Sequence, residues 1–321
     1  MRLSTATRML ILIVAIVAIA LPTAGCGGKK KGKKGGLTIK QQLDKAEGES
    51  TPDRQAAALL KVARAQLAAG DKSGAKSSVT KAFDRVKEVK EDADANLFAP
   101  RLIETGELFV ALGDKKQARK SLELATDSAT IGKIDDAVRR TKVLADAGAI
   151  YGDKVEGIGD SKLAKDTLAK AANVADGVEE RFRAEALAAV ALGYTRSGLA
   201  EAASDMVGKL EEAAKALEEP RAKAEALAAA ANVKAQTGKK DEATELLQEA
   251  AASAKSVERP ESKAYALLAV ALATDANGDT KQALTLLKEA DKAANKVAEP
   301  DAMKMVVDKV RALTMKLEKK K

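Results

Sequence analysis

One short pattern recurs six times along this 321-residue chain and restricts it to a repeat architecture. Each copy is anchored on a glycine, with an alanine five residues later and a valine or leucine nine residues later. The anchors are Gly70, Gly113, Gly159, Gly198, Gly238 and Gly278. In the last three copies a proline also recurs at intervals of forty residues, at Pro220, Pro260 and Pro300. Self-similarity at a fixed period is the signature of stacked structural units.

The offsets within each copy predict a helical hairpin. A glycine can adopt the left-handed conformation that ends a helix, so each anchor is expected to separate two helices. The alanine and the larger residue stand four apart and therefore share one face of the second helix. A leucine lies eleven residues before five of the anchors, and Leu144 fits the third copy if four residues are inserted near residues 152–159. Because aromatics make up only 2% of the chain, Ala, Leu and Val must fill the core, and the composition favours an all-α fold.

This order of glycine, alanine and large apolar residue resembles the tetratricopeptide repeat. The resemblance covers residues 51–300, about six copies, and implies an all-α solenoid of helical hairpins. The period is near 40 rather than 34, and leucine replaces the family's usual tryptophan in the first helix, so longer second helices are expected. A HEAT-type solenoid, whose period is also close to 40, is the alternative. We expect a short leading helix over residues 38–47 and a capping helix over residues 301–319.

The first 25 residues have the order of an export signal, with two arginines, an apolar run over residues 9–21 and small residues before Cys26. As a helix that run would rise about 20 Å, which is short of the roughly 30 Å hydrocarbon core of a bilayer. The segment Thr23-Ala24-Gly25-Cys26 resembles the lipobox of bacterial lipoproteins, with Thr23 where leucine is usual. That resemblance implies cleavage between Gly25 and Cys26 and acylation of Cys26, the only cysteine in the chain. An uncleaved membrane anchor is the alternative.

Residues 27–36, GGKKKGKKGG, predict a flexible tether that lies near anionic headgroups, or alternatively a solubilising linker. The net charge is +8, and subtracting the seven cations of the first 36 residues leaves 8 − 7, or +1, for the rest. A body this neutral does not predict nucleic-acid binding. In lipoproteins of this kind an Asp after the cysteine signals inner-membrane retention, and Gly27 stands there instead. We therefore expect an exported protein that is lipid-anchored to a bacterial membrane. The favoured location is the outer membrane, with the protein facing the periplasm.

The residue inventory excludes several kinds of chemistry. With one Cys and no His, the chain has no internal disulfide, zinc or haem site and no histidine-based catalytic triad. We expect no catalytic residue, cofactor, metal or small-molecule substrate. In the insertion, Asp153, Glu156 and Asp160 do not keep calcium-loop spacing. A surface insertion is favoured there, and a contact loop is the alternative.

The resemblance to tetratricopeptide repeats also implies that successive first helices line a groove that binds peptides or protein segments. The groove positions that it indicates are Arg64, Glu107, Asn232, Tyr265 and Asp275, together with Leu60 and Leu272. Phe109, Tyr151 and Tyr194 are expected between helices. The function predicted is a lipid-anchored cell-envelope scaffold. The alternatives are a structural spacer without a ligand and a carboxylate-dependent cell-wall enzyme or enzyme subunit, for which the chain has few substrate-stacking aromatics.

Overall fold

The computed structural model describes residues 37–88 and 95–319. The predicted signal, Cys26 and the tether segment lie outside these residues. The described chain is α-helical, with short turns and no strand in these two ranges, and its helices pack in consecutive pairs. This confirms the predicted all-α class built from hairpins. No helix in the described ranges has both the length and the apolar character needed to cross a bilayer.

The described residues form two compact units. The N-terminal unit contains residues 37–88, 95–178 and the turn Arg196–Leu199, and the C-terminal unit contains Glu179–Thr195 and the residues from 200 to 319. Each unit is described by itself below.

The N-terminal unit consists of a leading helix, three hairpins and one short extra helix. Its helices are α1 (Ile39–Glu47), α2 (Pro52–Ala68), α3 (Lys72–Glu88), α4 (Ala95–Ala111), α5 (Lys115–Thr126), α6 (Ser128–Gly132), α7 (Ala137–Gly152) and α8 (Ser161–Asp176). The pairs α2–α3, α4–α5 and α7–α8 form the hairpins, and the first helices α2, α4 and α7 contact one another in succession. Helix α1 lies where the short leading helix was expected, and it begins with a capping box between Thr38 and Gln41. Helix α6 was not predicted, and the carboxylate of Asp127 caps its start.

The C-terminal unit repeats the hairpin more regularly. Its helices are α9 (Glu180–Arg196), α10 (Ala200–Lys215), α11 (Pro220–Gln236), α12 (Lys240–Ser256), α13 (Pro260–Ala276), α14 (Thr280–Ala294) and α15 (Pro300–Glu318). The last residue of α9, Arg196, belongs to the turn assigned to the N-terminal unit. Helices α11–α12 and α13–α14 form hairpins, and α15 packs on α13 and α14. The capping helix expected over residues 301–319 falls on α15. The three periodic prolines each begin a helix, where a missing N–H costs nothing.

The turns follow the predicted glycine pattern. All six anchor glycines have a positive φ, between 76° and 100°, which L-residues with a side chain rarely adopt. The third turn is longer than the others and runs over residues 153–160, at the predicted insertion. There the carboxylate of Asp153 accepts hydrogen bonds from the backbone N–H groups of Val155 and Glu156, both at 2.9 Å. The insertion is thus an ordered turn that leaves the hairpin geometry intact.

The core is built from the periodic positions. The alanine five residues after each anchor is fully buried in all six copies, and the valine or leucine nine residues after is buried in all six. Small residues on the first helix pack against these large residues of the second helix. A Cβ added to Gly148 would lie 2.5 Å from Cγ of Leu168, and one added to Gly106 would lie 2.9 Å from Cδ2 of Leu122. In the other four copies this position is a fully buried alanine, at Ala63, Ala191, Ala231 and Ala271.

The aromatic residues expected between helices are buried there. Phe109 and Tyr151 are almost completely buried, and 7% of the Tyr194 surface is exposed. The Phe83 and Phe109 rings meet edge to face with their centroids 5.9 Å apart. Leu60, one of the residues given to the groove by sequence, is fully buried and is instead a core residue.

Candidate functional site

Charged side chains from successive first helices meet on one surface of the N-terminal unit. We call this surface, formed by Asp53, Arg64, Arg101, Glu104, Glu107 and Asp146, the first-helix face. Nη1 of Arg64 on α2 lies 2.7 Å from Oε1 of Glu104 on α4. Arg101 lies 3.5 Å from the other Glu104 oxygen and 3.9 Å from Asp53. Ion pairs therefore link α2 to α4 across this face.

Two carboxylates on the same face have no such partner. Glu107 on α4 and Asp146 on α7 make no hydrogen bond or ion pair within the described part of the chain. Glu107 is partly buried, and burial raises its pKa to about 7. Arg196 and Arg64 act against this rise, whereas Asp146 and Glu104 add to it. Glu107 thus titrates close to neutral pH.

Asp146 combines exposure with an environment that disfavours charge. Its side chain reaches solvent, yet desolvation by the surrounding protein raises its pKa, while Arg196 and Lys142 act in the opposite direction. Asp146 is thus an exposed acidic residue of the first-helix face.

Arg196 supplies the third unpaired charge. It attracts both Glu107 and Asp146 electrostatically but makes no ion pair with either carboxylate. Its Nε is buried and has no hydrogen-bond partner. Most buried polar groups in proteins are hydrogen-bonded, and this donor is an exception.

The structure divides the groove residues indicated by sequence between the two units. Arg64 and Glu107 share the first-helix face of the N-terminal unit. Asn232, Tyr265 and Asp275 lie in the C-terminal unit. The sequence therefore indicated two separate sets of residues.

The C-terminal set is largely engaged in local contacts. The Tyr265 ring lies 5.5 Å from the Arg221 guanidinium and 4.9 Å from the Lys309 ammonium, measured to the ring centroid. Asn232 accepts a hydrogen bond from the Gln236 amide at 2.8 Å.

Asp275 and the acidic residue Asp160 of the insertion make hydrogen bonds at turns between helices. Asp275 is buried and accepts a hydrogen bond from the Thr280 hydroxyl at 2.7 Å, across the turn at Gly278. In the insertion, Asp160 caps α8 through the N–H of Leu163 and pairs with Arg119, both at 3.0 Å. These two hydrogen bonds hold the pKa of Asp160 below its usual range.

Sequence reasoning missed Glu104, Asp146 and Arg196. A signal for the first two existed, because Glu104 and Asp146 each stand two residues after the first-helix leucine of their copy, Leu102 and Leu144. The same offset holds alanine in the last three copies, at Ala189, Ala229 and Ala269. Within the described ranges no group of three or more acidic or thiol side chains is placed to hold a metal ion. The chemistry that the face offers is recognition of charge and of hydrogen-bonding groups.

No protein-family model and no curated protein matches the chain. Among solved structures it is similar to Ton1535 from Thermococcus onnurineus NA1, with 17% identity, coverage of 85% of this chain and 83% of that one, and a TM-score of 0.32. It is similar to a Rap protein complexed with Competence and Sporulation Factor, with 14% identity, coverage of 87% and 79%, and a TM-score of 0.39. It is also similar to a circular tandem repeat protein with novel repeat topology, with 14% identity, coverage of 88% and 75%, and a TM-score of 0.34. Likenesses this distant carry no argument about function.

Glu107→Gln should change stability in a pH-dependent way. Folding raises the carboxyl pKa from 4.5 to about 7, so between these pH values the folded chain binds more protons than the unfolded chain and stability falls as pH rises. Glutamine mimics the neutral carboxyl. In urea denaturation the variant should therefore match the parent at pH 5 and be more stable at pH 8.

The matched control is Glu123→Gln, which makes the same charge change on an exposed position of α5. It should give no stabilisation that appears only at pH 8. Equal urea midpoints for the parent and Glu107→Gln at pH 8 would contradict a neutral-range titration of Glu107.

Proposed function

We propose that this protein is a lipid-anchored, non-catalytic scaffold of the bacterial cell envelope that binds another protein through the first-helix side of its hairpins. The single observation that carries the binding role is the set of charged side chains on the first-helix face that the fold does not use. The periodic alanines, leucines and valines complete the core without Glu107, Asp146 or Arg196. Charges held partly dehydrated and unpaired cost stability, which a ligand that neutralises them recovers.

The anchoring role rests on the sequence before the first described residue. The order of charged, apolar and small residues before Cys26 suits export, and the lipobox resemblance suits acylation of that cysteine. Two or more acyl chains give stable anchoring where one does not. The lysines of the tether add attraction to anionic headgroups close to the anchor.

A non-catalytic role is favoured by the same inventory. The chain has no histidine to serve as a general base and only four Phe and three Tyr residues to stack on a glycan. Phe109, Tyr151 and Tyr194 are buried in the core, which reduces the aromatic surface further.

Site-specific photocrosslinking in intact cells tests the binding role. A photoreactive amino acid is placed at Lys61, which is exposed on α2 at the offset shared with Glu104 and Asp146, and at Asn232 on α11. The controls carry it at Asp166 on α8 and Thr285 on α14, both exposed on second helices. We expect protein adducts from the first-helix positions and not from the controls. No adduct from any position would favour a spacer, and the same adducts from all four would contradict a binding face.

Cys26→Ser tests the anchor. The parent should incorporate a labelled fatty acid and fractionate with membranes, and the variant should do neither, because a hydroxyl does not replace the thiol that the lipoprotein pathway acylates. Unchanged membrane fractionation of the variant would instead support an uncleaved apolar anchor.

A further inference from the structure

This inference rests on the proposed binding role and concerns the chemistry of the partner at the C-terminal unit. Three side chains meet there from α11, α13 and α15, helices that pack in succession within that unit. Arg221, Tyr265 and Lys309 stand forty-four residues apart, so each lies about one turn further along its helix than the one before. We call these three residues the Tyr265 cluster.

Two cations lie over the ring of Tyr265. The guanidinium carbon of Arg221 is 5.5 Å from the ring centroid, and the ammonium nitrogen of Lys309 is 4.9 Å from it. Both distances are within the range of a cation–π attraction. This attraction acts between each cation and the face of the ring, so it leaves N–H donors of both cations available for hydrogen bonds. The ring therefore holds two positive charges close to one point.

The positive charge of the cluster is only partly neutralised within the described chain. Nε of Arg221 donates a hydrogen bond to Oε1 of Glu225 at 2.8 Å. Lys309 makes no ion pair or hydrogen bond in the described ranges, where its contact is the ring of Tyr265. One of the two cations is therefore without a counterion.

The unpaired donors of the cluster are open to a ligand. Tyr265 and Lys309 are partly exposed, and 39% of the Arg221 side chain is exposed. The hydroxyl of Tyr265, like the ammonium of Lys309, has no hydrogen-bond partner in the described ranges. Neither atom is among the unpaired polar atoms of those ranges that are closed to solvent. A negatively charged acceptor would bond both donors and supply the missing counterion.

We propose that the Tyr265 cluster binds the carboxylate of an aspartate or glutamate side chain of the partner protein, which accepts hydrogen bonds from the Lys309 ammonium and the Tyr265 hydroxyl. A carboxylate has two acceptor oxygens, so one side chain satisfies both donors. Arg221 adds a second positive charge beside the same ring. Because the ring contacts already restrain both cations, binding costs little further side-chain freedom.

Other anions match the cluster less well. Anionic membrane surfaces are recognised by groups of about four to eight Lys or Arg residues, whereas this cluster has two cations, one of them paired with Glu225. A phosphate group carries nearly two negative charges and would meet one unpaired cation. A single carboxylate matches the one charge that lacks a counterion.

The cluster occurs once in the array. Tyr265 stands two residues before the first-helix leucine of its copy, and no other copy has an aromatic residue at that position. The residues there are Ala57, Pro100, Lys142, Glu185 and Glu225. Selectivity for an acidic residue of the partner is therefore assigned to one place in the C-terminal unit.

Binding of three blocked peptides to the purified full chain, measured by fluorescence anisotropy, tests the inference. All three have ten residues, in which alanine alternates with glutamate, glutamine or lysine. The glutamate peptide should bind about ten-fold more tightly than the glutamine peptide, as expected for hydrogen bonds between charged groups. The lysine peptide should bind more weakly than either.

The decisive variant is Lys309→Gln, and its matched control is Lys288→Gln, which makes the same charge change on an exposed position of α14. Lys309→Gln should lose most of the preference for glutamate. The control should keep it, since both variants retain the lysines of the tether. Tyr265→Phe keeps the ring and removes only the hydroxyl, so it should weaken glutamate binding about five-fold. Circular dichroism establishes that each variant is folded.

Two results with the peptides would overturn the inference: no preference of the parent for glutamate, or an equal loss of preference in Lys309→Gln and Lys288→Gln. A third measurement uses vesicles of phosphatidylglycerol and phosphatidylcholine in equal parts. If Lys309→Gln abolished vesicle binding and left peptide binding unchanged, the cluster would contact a membrane and the inference would be wrong.

Each of these results would leave the proposed scaffold role standing if Lys61 and Asn232 still give adducts in cells. Absence of those adducts, by contrast, would remove the scaffold role itself.

Discussion

The two helices of each hairpin lie close together because a small residue on the first helix faces a large one on the second. At Gly148 the fit is so tight that even a methyl group would collide with Leu168, and Gly106 has the same relation to Leu122. The four other copies use a buried alanine at this position. Close packing of this kind increases the dispersion attraction between the helices and excludes water along the hairpin, in a core with few aromatic side chains.

This packing determines which residues remain available for function. Beside the buried positions, a row of first-helix residues stays at least partly exposed, and it includes the residues two and five places after the recurring leucine in α4 and two places after it in α7. In α4 that row holds Glu104 and Glu107, and in α7 it includes Asp146. In the later copies the first of these positions is alanine. Acidic residues at this first position therefore occur only in the N-terminal unit, although all copies share the same hairpin framework.

The fold could be predicted from the sequence because its determinants are periodic. A glycine with positive φ and a buried alanine five residues later recur in every copy. A pattern that could arise by chance in one copy is therefore supported by its presence in the other five. Helix α6 could not be found in this way, since it occurs once and depends on a local cap at Asp127. The insertion was located because it breaks the period at Leu144, although its Asp153 turn has no counterpart in other copies.

The candidate site was only partly predictable. Arg64 and Glu107 followed from the family spacing, but whether a polar residue on the exposed row is paired depends on distances that the sequence does not contain. Arg64 finds a carboxylate at 2.7 Å, whereas Glu107 finds none. Arg196 was missed because it lies at the end of a helix. Asp275 occupies a predicted groove position, but its carboxylate accepts a hydrogen bond from Thr280 across the turn at Gly278.

The most direct test of the hairpin packing compares two glycines that both lie within helices. Gly148→Ala should lower the free energy of unfolding by about 1–3 kcal/mol, because the added Cβ meets Cγ of the fully buried Leu168 at 2.5 Å. Gly208→Ala, where nothing lies within 4 Å of the new Cβ, should raise it by about 0.5–1 kcal/mol through helix propensity. Urea denaturation of the two variants measures both changes. Stabilisation by both substitutions would contradict the close approach of the helices on which the account depends.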